Sequence, residues 1–579
     1  MTKSFNRKAL GAFKKLGVVA LITATMFFAA CNQRGGGSGS GGGGGGKPTP
    51  TPTPTPTPKP KHEVTFSVEG GNGTLKAKTD GVDETETSPI KVEEGKEVTF
   101  TAKANSGYKV KGWTLGGKAV NGTAETYKLT VNKPAIVKVS FEAIPQAAAI
   151  LTVDPANKVI KVKATTKDGS AIKVEGCEEE TLESGKPKRL TAKGTTVTLK
   201  GKISELSCNS NQLSSINVQG LSTLQKLDCS SNQLTSLDVT GCTALQELEC
   251  SDNQLTALAV QGLTALQKLF CYENQITALD AQGLTALQEL YCHSNKLTEL
   301  NVQGLVALQK LECHENQITA LDVQGLTALQ ELKCNNNQLT SLKVQGLATL
   351  QLLWCYKNEL TSLDVKGCTA LQDINCPENK LTELNVQGLS ALQELKCNNN
   401  QLTALDVKGL ATLQELKCNE NQLTALDVQG LIALQKLTCN NNKLTSLDAK
   451  GLSALQRLLC SNNQLTELNV QGLSTLQKLE CSSNQLTALD VKDLTALKEL
   501  DCFANQIKVQ EMTALLKGLP TRTTSDSAKA RLYTEKADVT EGNHNDFTTP
   551  EELKTALGEA KDKKWTLQKI DASDSWVEI

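Results

Sequence analysis

Fifteen cysteines, from Cys208 to Cys502, follow one another at intervals of 21 residues, and each has an asparagine three residues later. Thiols in such number could form disulfides, bind metal or act as nucleophiles. The spacing argues against all three. In-register strands place neighbouring cysteines about 4.8 Å apart, but their Cβ vectors run parallel, which does not suit a disulfide. Zinc needs four converging ligands, and a straight row on one face cannot supply them. Cys242 and Cys368 stand in a column otherwise held by leucine, thirteen residues after a ladder cysteine. Cysteine in this pattern reads as a small buried apolar filler.

A second set of residues borders the cysteines. Every aromatic residue between Cys208 and Asn505 lies immediately before or after a ladder cysteine: Phe270, Tyr272, Tyr291, Trp354, Tyr356 and Phe503. His293 and His314 share that location. All but Phe503 fall on the repeats of Cys271 to Cys355, and on an exposed sheet they have the composition of an interface hot spot. Cross-strand pairing of aromatics on a sheet surface is the purely structural alternative. The two histidines could hold a metal, but no third ligand is evident, so no metal is expected. The sequence has no phosphate-binding glycine loop, nucleophile elbow or His-rich motif. Neither an enzyme nor a cofactor is therefore expected.

The elements that position these side chains follow from the unit Leu392-x-x-Leu395-x-Cys397-x-x-Asn400-x-Leu402-x-x-Leu405-x-Val407-x-x-Leu410. In "ELKCN" the period is two, so Leu395 and Cys397 face inward while Glu394, Lys396 and Asn398 face outward. The unit resembles the leucine-rich repeat, with cysteine in place of the third leucine. Its 21-residue, cysteine-substituted form is similar to the arrays of the internalin family of listerial surface proteins. The resemblance implies a solenoid with a parallel sheet on its concave face, where such arrays bind. It also implies an inside hydrogen-bonding ladder of Asn211, Asn232, Asn253, Asn274, Asn295, Asn316, Asn337, Asn358, Asn379, Asn400, Asn421, Asn442, Asn463, Asn484 and Asn505. Glycine lies twelve residues after thirteen of the first fourteen cysteines, at a tight convex bend; Asp493 is the exception. The residue three before each cysteine is usually Glu or Lys, which predicts a solvated ladder of alternating charge.

Other regions flank the array (204–507). Residues 1–30 combine Lys3, Arg7, Lys8, Lys14 and Lys15 with an apolar run, as a secretory signal does. "FFAAC" resembles a bacterial lipobox, which implies a diacylated Cys31. Residues 31–62 read as a tether, flexible in the Gly/Ser stretch and stiff polyproline from Pro48 to Pro60. Residues 63–142 alternate as strands and, through "GYKVKGW", resemble the internalin-B-type B repeat, with Trp113 expected in its core. Residues 143–203 read as a β cover for the array's N-terminal end, and 508–579 as an α/β cap with Thr549 as N-cap and Pro550 at N1 of its second helix. The expected fold class is thus β-rich: a small all-β module, a leucine-rich-repeat solenoid and an α/β C-terminal cap.

The formal net charge is −1, from 61 Lys+Arg against 62 Asp+Glu. It gives no pull toward nucleic acid, and none is expected as a partner. The functional expectation is a monomeric, lipid-anchored protein of the cell envelope, on the outer-membrane surface of a Gram-negative-type bacterium. Its concave face would bind a protein or glycan of host or neighbouring cells. The alternative is a periplasmic or surface scaffold without a dedicated ligand.

Overall fold

The computed structural model describes residues 59–105, 108–143 and 148–579. The expected signal peptide, Cys31 and the tether through residue 58 lie outside the described residues. Among those described, no helix is long and apolar enough to cross a membrane.

Leucine periodicity builds the largest body. A short strand precedes each ladder cysteine, and neighbouring strands pair parallel and in register, Leu395 opposite Leu416 for example. In the strand Glu394–Lys396 the outer residues are half-buried and Leu395 is fully buried. Cys397 follows, also fully buried, and its N–H extends the pairing to the Lys417 carbonyl at 2.8 Å. Leu392, Leu402, Leu405, Val407 and Leu410 close each turn at 6% exposure or less. Burying one such side chain contributes about 2 kcal/mol. Stacking repeats one on another makes a single continuous core running from Ala149 to Leu567.

Two backbone positions turn the chain. The thirteen convex glycines, Gly409 among them at φ +86°, all take left-handed conformations, and Asp493 does not. A second left-handed position was not foreseen. The residue two after every ladder cysteine has φ between +51° and +56°, whether it is Ser210, Glu315, Lys357, Asn399 or Ala504. These side chains share no preference for that region, so the asparagine bonds that follow must hold it.

All eighteen cysteines from Cys177 to Cys502 are free and buried. Burial pushes the Cys397 and Cys439 thiols up to about 12 and that of Cys177 to about 11. Neutral thiols of this kind are poor nucleophiles and poor metal ligands. Cys242 and Cys368 are more than filler. Their Sγ atoms donate to the Val218 and Val344 carbonyls at 3.2 and 3.1 Å, where glycine backbones of adjacent turns approach each other closely.

Strand Val159–Thr166 covers the first turn, pairing antiparallel with Ile203–Ser207. Lys161 completes the first ladder asparagine: its N–H donates to Asn211 Oδ1 (2.7 Å) and its carbonyl accepts from Nδ2 (2.8 Å). At the other end, strands Lys529–Thr534 and Thr566–Ile570 extend the sheet in parallel, and Trp576–Glu578 ends it antiparallel. Helices Val509–Gly518 and Glu551–Asp562 pack beside them. The N-cap of the second helix is Pro550, not Thr549, whose hydroxyl instead donates to Asp546 at 3.2 Å.

The N-terminal module has its own core. One sheet contains Ile90–Glu93, Lys61–Glu69, Ala135–Ala143, Tyr108–Leu115 and Lys118–Val120, in that order; the second contains Val82–Thr85, Gly73–Thr79, Glu97–Ala104 and Thr126–Thr130. Phe66, Phe100 and Trp113 fill the space among them. Trp113 is 1% exposed and donates its indole N–H to the Ala124 carbonyl, so it is a core residue.

Candidate functional site on the concave sheet

Because strand residues alternate and turns repeat in register, the residues flanking the cysteines form two parallel columns on one face. The column before the cysteines runs Phe270, Tyr291, Glu312, Lys333, Trp354. The column after them runs Tyr272, His293, His314, Asn335, Tyr356. The strand spacing brings successive rings into contact. Phe270 and Tyr291 have centroids 4.7 Å apart. Tyr272 stacks on His293 at 4.6 Å, and His293 on His314 at 4.2 Å, each pair within 11° of parallel.

Sequence alone placed these residues on one surface; the structure adds that they are half-buried against one another. Trp354 joins the patch through a polar chain. Lys333 lies 5.0 Å from its ring and 2.8 Å from Glu312, while the indole N–H donates to Asp373 at 2.9 Å. Tyr356 is separated from His314 by Asn335, which is 2% exposed and whose Oδ1 has no partner. Phe503 belongs elsewhere, packed edge-on against Trp576 of the C-terminal cap.

Burial sets the electrostatics. It lowers the pKa of both His293 and His314, only partly offset by Glu312 and Glu315, so both rings are neutral at physiological pH. It raises that of Tyr291, with Glu289 and Glu312 adding to the effect. The sequence reading of two histidines without a third donor is corrected here. The ligand atoms of His293, His314 and Glu312 all lie within 4.8 Å of one another. Glu312 resembles the charged residues of many other turns, so its residue type does not mark it, although it occupies the same column as Phe270 and Tyr291.

The outermost column carries the charge ladder. Lys226–Glu247, Lys268–Glu289 and Lys310–Glu331 are each paired at 3.0 Å. Their side chains are substantially exposed, so each pair adds under about 1 kcal/mol. Toward the N-terminal end the sheet holds a cavity of about 210 Å³ bordered by Lys163, Glu205, Lys226, Asp228, Glu247 and Glu249. Burial, a shared hydrogen bond with Glu247 and repulsion from Asp228 push the Glu249 carboxyl up to about 7. A raised folded-state value means that this group's stabilising contribution is full below its unfolded pKa of about 4.3 and disappears as pH rises through 7. Glu249→Gln is therefore expected to stabilise the protein by about 1–2 kcal/mol at pH 8 after solvent screening, and to change little at pH 4. Denaturation midpoints at the two pH values check this; equal shifts would exclude the linkage.

The asparagines behind the columns are uniform. In the turn of Asn379, Nδ2 donates to the carbonyls of Cys376 (3.2 Å), Cys355 (3.0 Å) and Pro377 (3.3 Å). Its Oδ1 accepts the Leu360 N–H at 3.0 Å. Each cysteine carbonyl is thus shared by two successive asparagines, which ties consecutive turns together. Sequence reading missed the last rung. Asn543, outside the 21-residue period, donates to the Cys502 and Leu532 carbonyls at 2.9 and 2.8 Å and accepts the Ile507 N–H at 2.9 Å.

Residues 63–145 match the divergent InlB B-repeat domain, and residues 222–263 match the family of leucine-rich repeats in two copies. No curated protein matches the chain. Among solved structures it is similar to the functional domain of InlJ from Listeria monocytogenes, which includes a cysteine ladder. The identity is 29%, over 59% of this chain and 76% of that one, with a TM-score of 0.46. A leucine-rich-repeat protein of Leptospira interrogans is 30% identical over 51% of this chain and 82% of its own, also at 0.46. The internalin InlF of Listeria monocytogenes is 27% identical over 47% and 85%, at 0.42. With its 21-residue turns, parallel concave strands and asparagine ladder, the chain is a leucine-rich-repeat solenoid that carries a divergent InlB B-repeat domain ahead of the array.

Proposed function

We propose that the protein binds a macromolecular partner, a protein or glycan of host or neighbouring cells, through the concave sheet at the turns of Cys271 to Cys355. The carrying observation is the concentration of Phe270, Tyr272, Tyr291, His293, His314, Trp354 and Tyr356 in two adjacent columns, where other turns hold mainly Asn, Ser, Lys, Asp or Glu. Rings already held by their neighbours lose little conformational freedom on binding, and clustered aromatics supply most of an interface's energy. The exposed charge ladder beside them disfavours nonspecific apolar association. In this reading Cys31 carries the lipid anchor, the Gly/Ser and Thr-Pro tether holds the solenoid away from the outer membrane, and the B-repeat module acts as a spacer.

The test is a binding screen of the purified full chain against extracellular-matrix proteins and glycans. Tyr291→Ala combined with Trp354→Ala is expected to weaken the tightest interaction at least tenfold, or about 1.4 kcal/mol or more, with a Tm change small enough to leave the array folded. Undiminished binding by the double variant would remove the patch from the proposal. Protease treatment of intact cells checks the location: a surface protein is cleaved, and a periplasmic scaffold is protected.

A further inference from the structure

We propose that His293, Glu312 and His314 form a binding site for a divalent first-row transition cation, such as zinc, on the concave sheet. The three residues come from two adjacent turns and two adjacent columns, and their ligand atoms lie within 4.8 Å of one another. Two imidazoles and a carboxylate are a donor set suited to zinc or copper, and calcium and magnesium, which prefer oxygen, are excluded by it. An independent observation points to a ligand. Nδ1 of His314 is buried and has no hydrogen-bond partner, a rare condition for a polar ring atom. His293 Nδ1 contacts the Ser294 hydroxyl at 3.2 Å, and that hydroxyl donates to Glu315, a chain that fixes one side of the ring while Nε2 remains available.

The arrangement is preformed but not closed. Tetrahedral zinc with bonds near 2.1 Å brings its ligand atoms to about 3.4 Å from one another. The stacked imidazoles, 4.2 Å apart between centroids, must therefore swing toward each other. Three protein donors leave a fourth position facing the concave surface. Lys333 is the internal competitor, because its ammonium occupies the Glu312 carboxylate at 2.8 Å. The surrounding charges are Glu273 and Glu315, which favour a cation, and Lys333, which opposes one. The cation releases Glu312 from Lys333, which keeps its place over the Trp354 ring. This site is independent of the partner reading, since it requires only the cation.

The experiment is titration of the purified full chain with Zn²⁺ by calorimetry, with Co²⁺ as spectroscopic probe. One equivalent per chain is expected, and the Co²⁺ complex should show d–d bands without thiolate charge transfer. His293→Ala and His314→Ala should each weaken binding at least tenfold, and Glu312→Gln about tenfold. Lys333→Met should tighten it. Circular dichroism identifies any variant that fails to fold, and Lys333→Met, which removes no ligand, then decides. Retained stoichiometric binding in the His293→Ala/His314→Ala double variant, thiolate charge transfer, or unchanged affinity in Lys333→Met would each overturn the proposal.

Discussion

Asn379→Ala is expected to destabilise the centre of the solenoid by about 2–4 kcal/mol. Alanine removes the only acceptor of the buried Leu360 N–H and one of the two donors on each of the Cys355 and Cys376 carbonyls. An unsatisfied buried donor costs about 1–3 kcal/mol, and the lost donors and small void add to that. The loss also reaches the backbone. Glu378, just before Asn379, sits at φ +52°, a conformation that nothing in its own side chain favours. Stability in a repeat array is a sum of units and their interfaces, so one missing rung weakens the turns on both sides. Hydrogen exchange at the Leu360 amide is the local measurement, and the denaturation midpoint the global one. Asn398→Ala, in the next turn and immediately after its ladder cysteine but facing outward, is the control and should stay within about 0.5 kcal/mol. Equal effects of the two substitutions would refute the ladder's role.

The second large effect is expected at the C-terminal end. Glu541 accepts the N–H groups of Ala504 (3.0 and 3.1 Å), Thr534 (2.7 Å) and Asn543 (2.8 Å). It therefore fastens the last turn of the array to the cap and positions Asn543 as the final rung. Glu541→Ala leaves three donors without acceptors among residues that are at most 6% exposed, at a cost of about 3–5 kcal/mol. Burial nonetheless raises the pKa of the carboxyl, against the pull of those backbone donors. Its hydrogen bonds are thus partly offset by the cost of charging it at neutral pH. Glu541→Gln, neutral but an acceptor through one oxygen in place of two, should lose less than Glu541→Ala. The loss should begin at the array's C-terminal end, with exchange rising first at Ile507 and Ala504; uniform exchange along the array would count against a capping role.

The 21-residue period made the solenoid legible, because Leu, Cys and Asn each occupy one environment in every turn. The same regularity explains what stayed hidden. Asn543 stands 38 residues after Asn505 (543 − 505), with a helix and a strand between them, so no spacing marked it as a rung. The left-handed residue after each cysteine was illegible for another reason. Glu, Lys, Ser and Ala at that position share no side-chain chemistry, and the constraint comes from the asparagine one residue later. At the candidate site, period-two alternation was enough to place the aromatic residues and histidines on one face. Their ring stacking follows from the spacing between turns. The link from Glu312 through Lys333 to Trp354 requires reading down a column instead of along the chain.

Cysteines that serve as architecture stay out of reach of solvent throughout the folded array. The most direct measurement is thiol alkylation of the purified full chain without reductant, read by peptide mass spectrometry. From Cys177 to Cys502, all eighteen thiols are free and buried. The prediction is no labelling of these eighteen in the native protein and complete labelling once it is unfolded. A cysteine among them that labels only after reduction, or that reacts rapidly in the native state, would contradict it.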